Sequence, residues 1–247
     1  MIFEWAERGN LRELYEKYDI PWTRKIQISR DIRLGLLFLY SKCVFHRNLR
    51  CENVFVLRDL SVKLGNFEYA SQISYISVNL SGLETYIVRW MAPELIKQYI
   101  GGNFNPVHTF RCEMFSFGIL LWELCYEKLP YDEWNIKQIA DHALSGKREK
   151  ILKRKFRNIN DREIQLEFIK IIKDAWHHDP DLRIPITDLS IRLEELAKKF
   201  PIPHDAPSLL KNKELYFDGQ KSGEPTSEIQ KLPIILKLRK KFLRRGF

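Results

Sequence analysis

No two of the four cysteines (Cys43, Cys51, Cys112, Cys125) stand at CxxC spacing, which removes the usual zinc and dithiol motifs. No apolar run approaches the roughly 20 residues a bilayer-spanning helix needs, and no secretory leader pattern opens the sequence given. These absences lead to the expectation of a reducing cytoplasmic setting, with a nuclear one also open. Internal repeats and low-complexity tracts are missing, which sets aside solenoids and arrays. Acidic residues are missing from 231–247, a stretch that carries seven Lys or Arg of a chain whose net charge is +9, so only two net positive charges remain for everything before it. The basicity belongs to the tail. A basic folded face with interleaved aromatics is lacking, so nucleic acid is not an expected partner.

What is present is ordinary for a soluble globular chain: 45% hydrophobic and 30% charged residues, enough to bury a large core. The opening, Ile2 to Leu11, starts apolar, turns polar around Gly9 and then shows helical spacing through Leu11, Leu14 and Tyr15. From Trp22 to Lys42, the residues Ile28, Ile32, Leu36 and Leu39 recur at spacing near four, which predicts a long helix with one buried stripe. Short runs at Val54 to Leu57 and Val62 to Leu64 read as small strands. Residues 112–127 are apolar nearly all round and predict a buried central helix, ended by Leu129-Pro130-Tyr131. Further helical patterns fall at 135–145, 161–176 and 186–199. Beyond about Phe200, strand signals fade and prolines predict an irregular tail.

Two segments carry candidate chemistry. His46-Arg47-Asn48-Leu49-Arg50-Cys51-Glu52-Asn53 resembles the protein-kinase catalytic loop H-R-D-L-x-x-x-N, and Gly65-Asn66-Phe67-Glu68 resembles the region of D-F-G. Arg89-Trp90-Met91-Ala92-Pro93-Glu94, Ser116-Phe117-Gly118-Ile119-Leu120-Leu121-Trp122-Glu123 and Ala175-Trp176-His177-His178-Asp179-Pro180-Asp181-Leu182-Arg183 follow in the family's order. The chain is thus similar to the large lobe of the protein kinase superfamily, in the style of its tyrosine-kinase-like group. That resemblance implies a mainly α fold with a few short β-strands, a helical bundle around the buried central helix. It also implies a domain over 1–199 holding hinge and large lobe with the small lobe absent, and an irregular tail over 200–247.

The resemblance also assigns roles. Phe3 matches the gatekeeper, Glu4 and Ala6 match hinge residues whose backbone meets adenine, and Phe55 matches the apolar residue beneath the ring, a plain core phenylalanine being the alternative. Asn48 stands where the family's aspartate accepts the substrate hydroxyl proton, and Asn53 and Asn66 stand at the magnesium positions. Arg50 occupies a position near the transferred phosphate, or is a solvated basic residue. Arg47 matches the arginine that reads a phosphate on the activation segment, where Tyr75, Thr85 and Tyr86 are candidate acceptors, although hydroxyls in such loops also serve solvation alone. His46 and Phe67 match a stacked column joining the two segments, and Glu68 replaces a glycine that permits unusual backbone angles. Glu94 and Arg183 match a buried ion pair. Glu113 matches an aspartate that braces the catalytic loop, one methylene longer here.

An amide takes no proton near neutral pH, and a positioned general base contributes typically 10²- to 10⁴-fold in rate. Magnesium prefers charged oxygens. ATP and Mg²⁺, the family's cofactors, are therefore expected to bind weakly, and no Gly-rich phosphate loop or V-A-I-K lysine accompanies the motifs. The expectation is a pseudokinase that works by binding signalling proteins. The alternative is a fragment of an active ATP-dependent Ser/Thr or Tyr kinase. In the tail, Leu232, Ile235, Leu236, Leu238, Phe242 and Leu243 share one helical arc opposite Lys237, Lys240, Lys241, Arg244 and Arg245, with Arg239 intruding. Such a basic amphipathic helix suits an anionic membrane surface or a partner-protein groove. A solvated tail or the start of a following domain remains open.

Overall fold

Asn10 starts the first helix with a capping box: its Oδ1 accepts from the Glu13 amide at 3.0 Å and its own amide donates to Glu13 Oε2 at 3.4 Å. The helix, α1 (Leu11–Lys17), buries Leu11, Leu14 and Tyr15 and runs directly into the short strand β1 (Tyr18–Asp19). In the computed structural model the described residues are 5–70, 85–101, 108–152, 156, 158–203 and 210–213, with only the backbone described for Thr85 and Tyr86. Phe3, Glu4, Tyr75 and the tail pattern over 231–247 lie outside them. The chain divides at Lys213 into two units, and every described residue belongs to the first.

Helix α2 (Trp22–Ser41) buries Ile28, Ile32, Leu36 and Leu39, the stripe its periodicity requires. It delivers the chain to residues 46–53, which end in a 3-10 turn at Cys51–Asn53. A hairpin follows, β2 (Val54–Val56) against β3 (Val62–Leu64), in the register Val54↔Leu64, Phe55↔Lys63 and Val56↔Val62. The segment before α1 lies along the hairpin's free edge. Arg8 N donates to Val56 O at 3.2 Å and Val56 N to Gly9 O at 2.9 Å. β3 in turn sits on α2, where a Cβ on Gly35 would come within 2.9 Å of Leu64 Cδ1.

The rest is helical: α3 (Thr85–Val88), α4 (Pro93–Ile100), α5 (Phe110–Tyr126), α6 (Ile136–Leu144), α7 (Ile159–Ala175) and α8 (Ile186–Lys199). α5 is the central post. Its residues Phe115, Phe117, Ile119, Leu120, Leu121, Leu124 and Cys125 are all within 1% of full burial. It packs on α7 at Gly118, where an added Cβ would sit 3.0 Å from Ala175 Cβ and from Trp176 N. The post ends at Tyr126, within a residue of the expected 127, and the left-handed backbone of Glu127 (φ 52) lets its amide return to Glu123 O at 2.7 Å. Among the described residues the fold is mainly α with a few two- and three-residue strands.

The chain past 199 departs from the irregular reading in one place. Residues Lys211–Asn212 form β4, antiparallel to β1 in the register Tyr18↔Asn212 and Asp19↔Lys211. Two residues are too few to leave a periodic trace, so only the long-range pairing reveals the strand.

Candidate functional site

The loop at 46–53 is held from below by Glu113 of α5. Its Oε2 accepts from the His46 amide at 3.0 Å and its Oε1 from the Arg47 amide at 2.9 Å. His108 Nε2 lies 2.8 Å from the same Oε1. Burial pushes the Glu113 carboxyl up, but chiefly the His108 contact, with the Arg47 amide among the further causes, outweighs it and leaves it below the ordinary carboxylate value. The extra methylene relative to aspartate is thus accommodated, and the loop is braced at two consecutive amides.

His46 joins the two candidate segments. Its Nδ1 accepts from the Asn48 amide at 3.3 Å, which leaves the ring proton on Nε2 to reach Gly65 O at 3.0 Å. Burial lowers its pKa, so the neutral ring is the resident form. Its ring centroid is 5.2 Å from that of Phe67, tilted by 52°. Phe67 is nevertheless 45% exposed, opening the 3-10 turn Phe67–Tyr69 with Glu68 exposed beside it. Gly65 lets Phe55 lie close, since a Cβ there would meet the Phe55 ring at 2.7 Å.

Three asparagines are linked in series. Asn66 adopts a left-handed backbone (φ 58, ψ 64), which asparagine tolerates better than most residues. Its Nδ2 donates to Asn53 Oδ1 at 3.1 Å, and Asn53 Nδ2 donates to the Asn48 carbonyl at 2.7 Å. Asn48 is 5% exposed, and its Nδ2 has no acceptor among the described residues. The oxygen that Asn53 could offer a metal is therefore already engaged by an amide hydrogen. Mg²⁺ asks for hard, mostly charged oxygens in octahedral array. Two neutral carboxamides tied to each other do not meet that demand.

Arg50 is not the solvated residue of the bland alternative. It is buried, 2.9 Å from Glu52 Oε2, with its guanidinium 5.9 Å from the Trp90 ring centroid. Glu52 also takes Arg12 Nη1 at 2.6 Å, and Arg12 reaches Glu16 at 3.0 Å. These groups, with Asn10, Glu13, Asn53, Phe55 and Asn66, line a cleft of about 530 Å³. Ala6 lies nearby in sequence, its carbonyl accepting from Gly9 N at 3.3 Å. Arg47 takes a left-handed backbone (φ 63), and burial lowers its pKa while Tyr99 and Glu113 favour its charge.

Away from the cleft, Arg183 Nη1 and Nη2 meet Glu94 Oε1 and Oε2 at 2.6 and 2.7 Å, a two-pronged pair. Burial raises the Glu94 carboxyl, and Arg183 more than reverses it. Sequence reasoning passed over Glu123, which is fully buried in α5. It accepts from Tyr15 OH at 3.0 Å, the Cys51 amide at 3.3 Å and Trp90 Nε1 at 3.1 Å, tying α1, the loop and the segment before α4 together. Burial lifts its pKa from 4.5 to about 7. An acid flanked on both sides by apolar residues, Trp122 and Leu124, in the buried helix was the available signal.

A family model for protein tyrosine and serine/threonine kinases matches residues 1–193. The chain is 29% identical over 214 residues to a fibroblast growth factor receptor of Strongylocentrotus purpuratus, covering 79% of this chain and 20% of that protein. It is 28% identical over 228 residues to the serine/threonine/tyrosine-protein kinase HT1 of Arabidopsis thaliana, covering 90% of this chain and 54% of that one. With the serine/threonine-protein kinase STY46 of the same plant the figures are 26% over 204 residues, 81% and 32%. The chain therefore spans about half or less of the length of these relatives. With the matched model covering most of its residues and the motifs set in a kinase-like helical lobe, this chain belongs to the protein tyrosine and serine/threonine kinase family, in its tyrosine-kinase-like style.

Proposed function

We propose that this domain is a pseudokinase, a kinase scaffold that acts in signalling by binding other proteins while phosphate transfer from ATP is lost or very weak. The hydrogen bond from Asn66 Nδ2 to Asn53 Oδ1 carries the reading, because it turns an amide N–H, which repels a cation, toward the oxygen that a metal would use. Asn48 supports it, since a carboxamide accepts no proton from a substrate hydroxyl. The Arg50–Glu52–Arg12 network adds to it by pairing Arg50 Nη1 with Glu52, which weakens its pull on a phosphate. ATP, when bound, would be held by packing against Phe55 and by hydrogen bonds rather than through a metal bridge. Signalling proteins are the proposed partners, and residues 231–247 a proposed contact with an anionic membrane or a partner's groove.

The test is a thermal-shift titration with ATP, with and without Mg²⁺, beside a radiolabelled phosphate-transfer assay on the same chain. The expected result is no Mg²⁺-dependent shift and no transfer above background. Robust turnover that vanishes in Asn53→Ala would overturn the reading.

A second reading, part of an active kinase, draws on the relatives, whose names describe them as kinases or a receptor. The loop braced by Glu113 favours it, since a scaffold so ordered is what catalysis requires. The transfer assay run on the longest natural form of the protein separates the two.

A further inference from the structure

The matched family model ends at residue 193, yet the described chain makes an ordered contact twenty residues later. Lys213 N donates to Lys17 O at 2.9 Å, next to the pairing of β4 with β1, and Leu210 packs against the main core. The Lys213 ammonium reaches two acceptors at 2.5 Å each, Tyr15 O at the end of α1 and Glu127 Oε2 just past α5. Glu127 Oε1 is engaged separately, by Lys25 Nζ at 2.9 Å and the Ile20 amide at 3.3 Å. Lys25 itself is 1% exposed and also contacts Cys125 O at 3.2 Å, the last-turn carbonyl of α5.

The electrostatics explain why a second lysine belongs here. The end of α5 carries the partial negative charge of the helix C-terminus, and Glu127 adds a full one in a nearly buried position. Lys25 answers one carboxylate oxygen and one carbonyl. The other oxygen and the Tyr15 carbonyl need a further cation, arriving from outside α2. An extended backbone beside β1 delivers it, because the Lys213 amide and ammonium both then find acceptors on the α1–β1 run.

We propose that the edge of β1 with the Glu127 carboxylate is a docking site for an extended, lysine-bearing segment, and that this chain fills it with its own residues 210–213. The occupant clasps α1 to the end of α5. Tyr15, whose carbonyl the clasp takes, also reaches Glu123 through its hydroxyl, and Glu123 holds the Cys51 amide in the cleft loop. The clasp is thus two side chains from the cleft, and it is independent of whether phosphate is transferred.

Hydrogen–deuterium exchange on the full chain tests this. In the unaltered protein the Lys213 amide is expected to exchange at least roughly tenfold slower than an open chain. Lys213→Gln is expected to raise exchange over residues 18–20, while Lys211→Gln, an exposed position, leaves it unchanged. Open-chain exchange at Lys213, or unchanged exchange at 18–20 in Lys213→Gln, overturns the proposal. So does protection that fades on dilution, which would assign the strand to a second copy. Should Lys213→Gln fail to fold, the unaltered chain still decides.

Discussion

Four buried or largely buried glutamates in the helical base, Glu94, Glu113, Glu123 and Glu127, each meet two or three donors, whereas at the cleft three asparagines are joined in a chain, Asn66 to Asn53 and Asn53 to the Asn48 carbonyl. Both regions bury polar groups, but they do so with opposite chemistry. In the base, a carboxylate is kept wherever it ties elements distant in sequence, and removing any one leaves cations or amides without their acceptor. At Asn53 and Asn66, neutral amides are joined locally, and neither position offers a charged oxygen. A scaffold can thus retain its architecture while its reactive centre is rebuilt from residues of the same size and different charge.

The sharpest way to break this contrast is at the Glu94–Arg183 pair. Arg183→Ala leaves a mostly buried carboxylate uncompensated, and unfolding in urea is expected to show a loss of about 3–5 kcal/mol. Glu123 tests the same idea through pH. Its folded pKa, about 7, lies above the ordinary 4.5, so its contribution is fully present below pH 4.5 and is lost as pH rises through 7. Stability of the wild type attributable to this group should fall by about 3 kcal/mol across that window. Glu123→Gln keeps an acceptor for Cys51 and Trp90, turns a donor to Tyr15 and should flatten that dependence. Urea midpoints at pH 5 and pH 8 read it directly.

Packing gives a smaller effect. Gly118→Ala pushes a methyl against Ala175 and the Trp176 backbone, and thermal unfolding should report a cost of about 1–3 kcal/mol. The least effect on stability is expected in the cleft. Asn66→Asp sits at an exposed position and should change stability without metal by no more than about 0.5 kcal/mol. Paired with Asn48→Asp it should, however, create a Mg²⁺-dependent rise in melting temperature larger than that of the natural chain. A large destabilisation by Asn66→Asp, or no metal response in the double variant, would blur the line between base and cleft.

Much of the scaffold was legible beforehand. The stripe through Ile28, Ile32, Leu36 and Leu39 and the all-round apolar run of α5 are periodic over several turns, and such signals survive tertiary context. Glu94 and Arg183, 89 residues apart, were paired only through motif resemblance, and the structure brings them together. The end of α5 falls where the apolar run stops, near 127, but its cause was not legible: proline is a visible stop, whereas a left-handed Glu127 is held by Lys25 and Lys213 from other elements. Arg50 was read as exposed in one alternative because a lone cation in a polar loop gives no hint of Glu52 and Trp90 beside it.

By itself the sequence determined that the longer helices α2, α5, α7 and α8 form, in what order, and that two positions expected to carry charged oxygens carry carboxamides instead. Those facts are local: they depend on residue type and spacing of four or fewer along the chain. Only the tertiary structure decided that Asn66 closes on Asn53, that Glu123 is buried among three elements, and that Lys213 returns to Glu127. Each of these joins residues separated by 13 to 108 positions, and at such range burial and donor geometry, which no periodicity encodes, choose the partner.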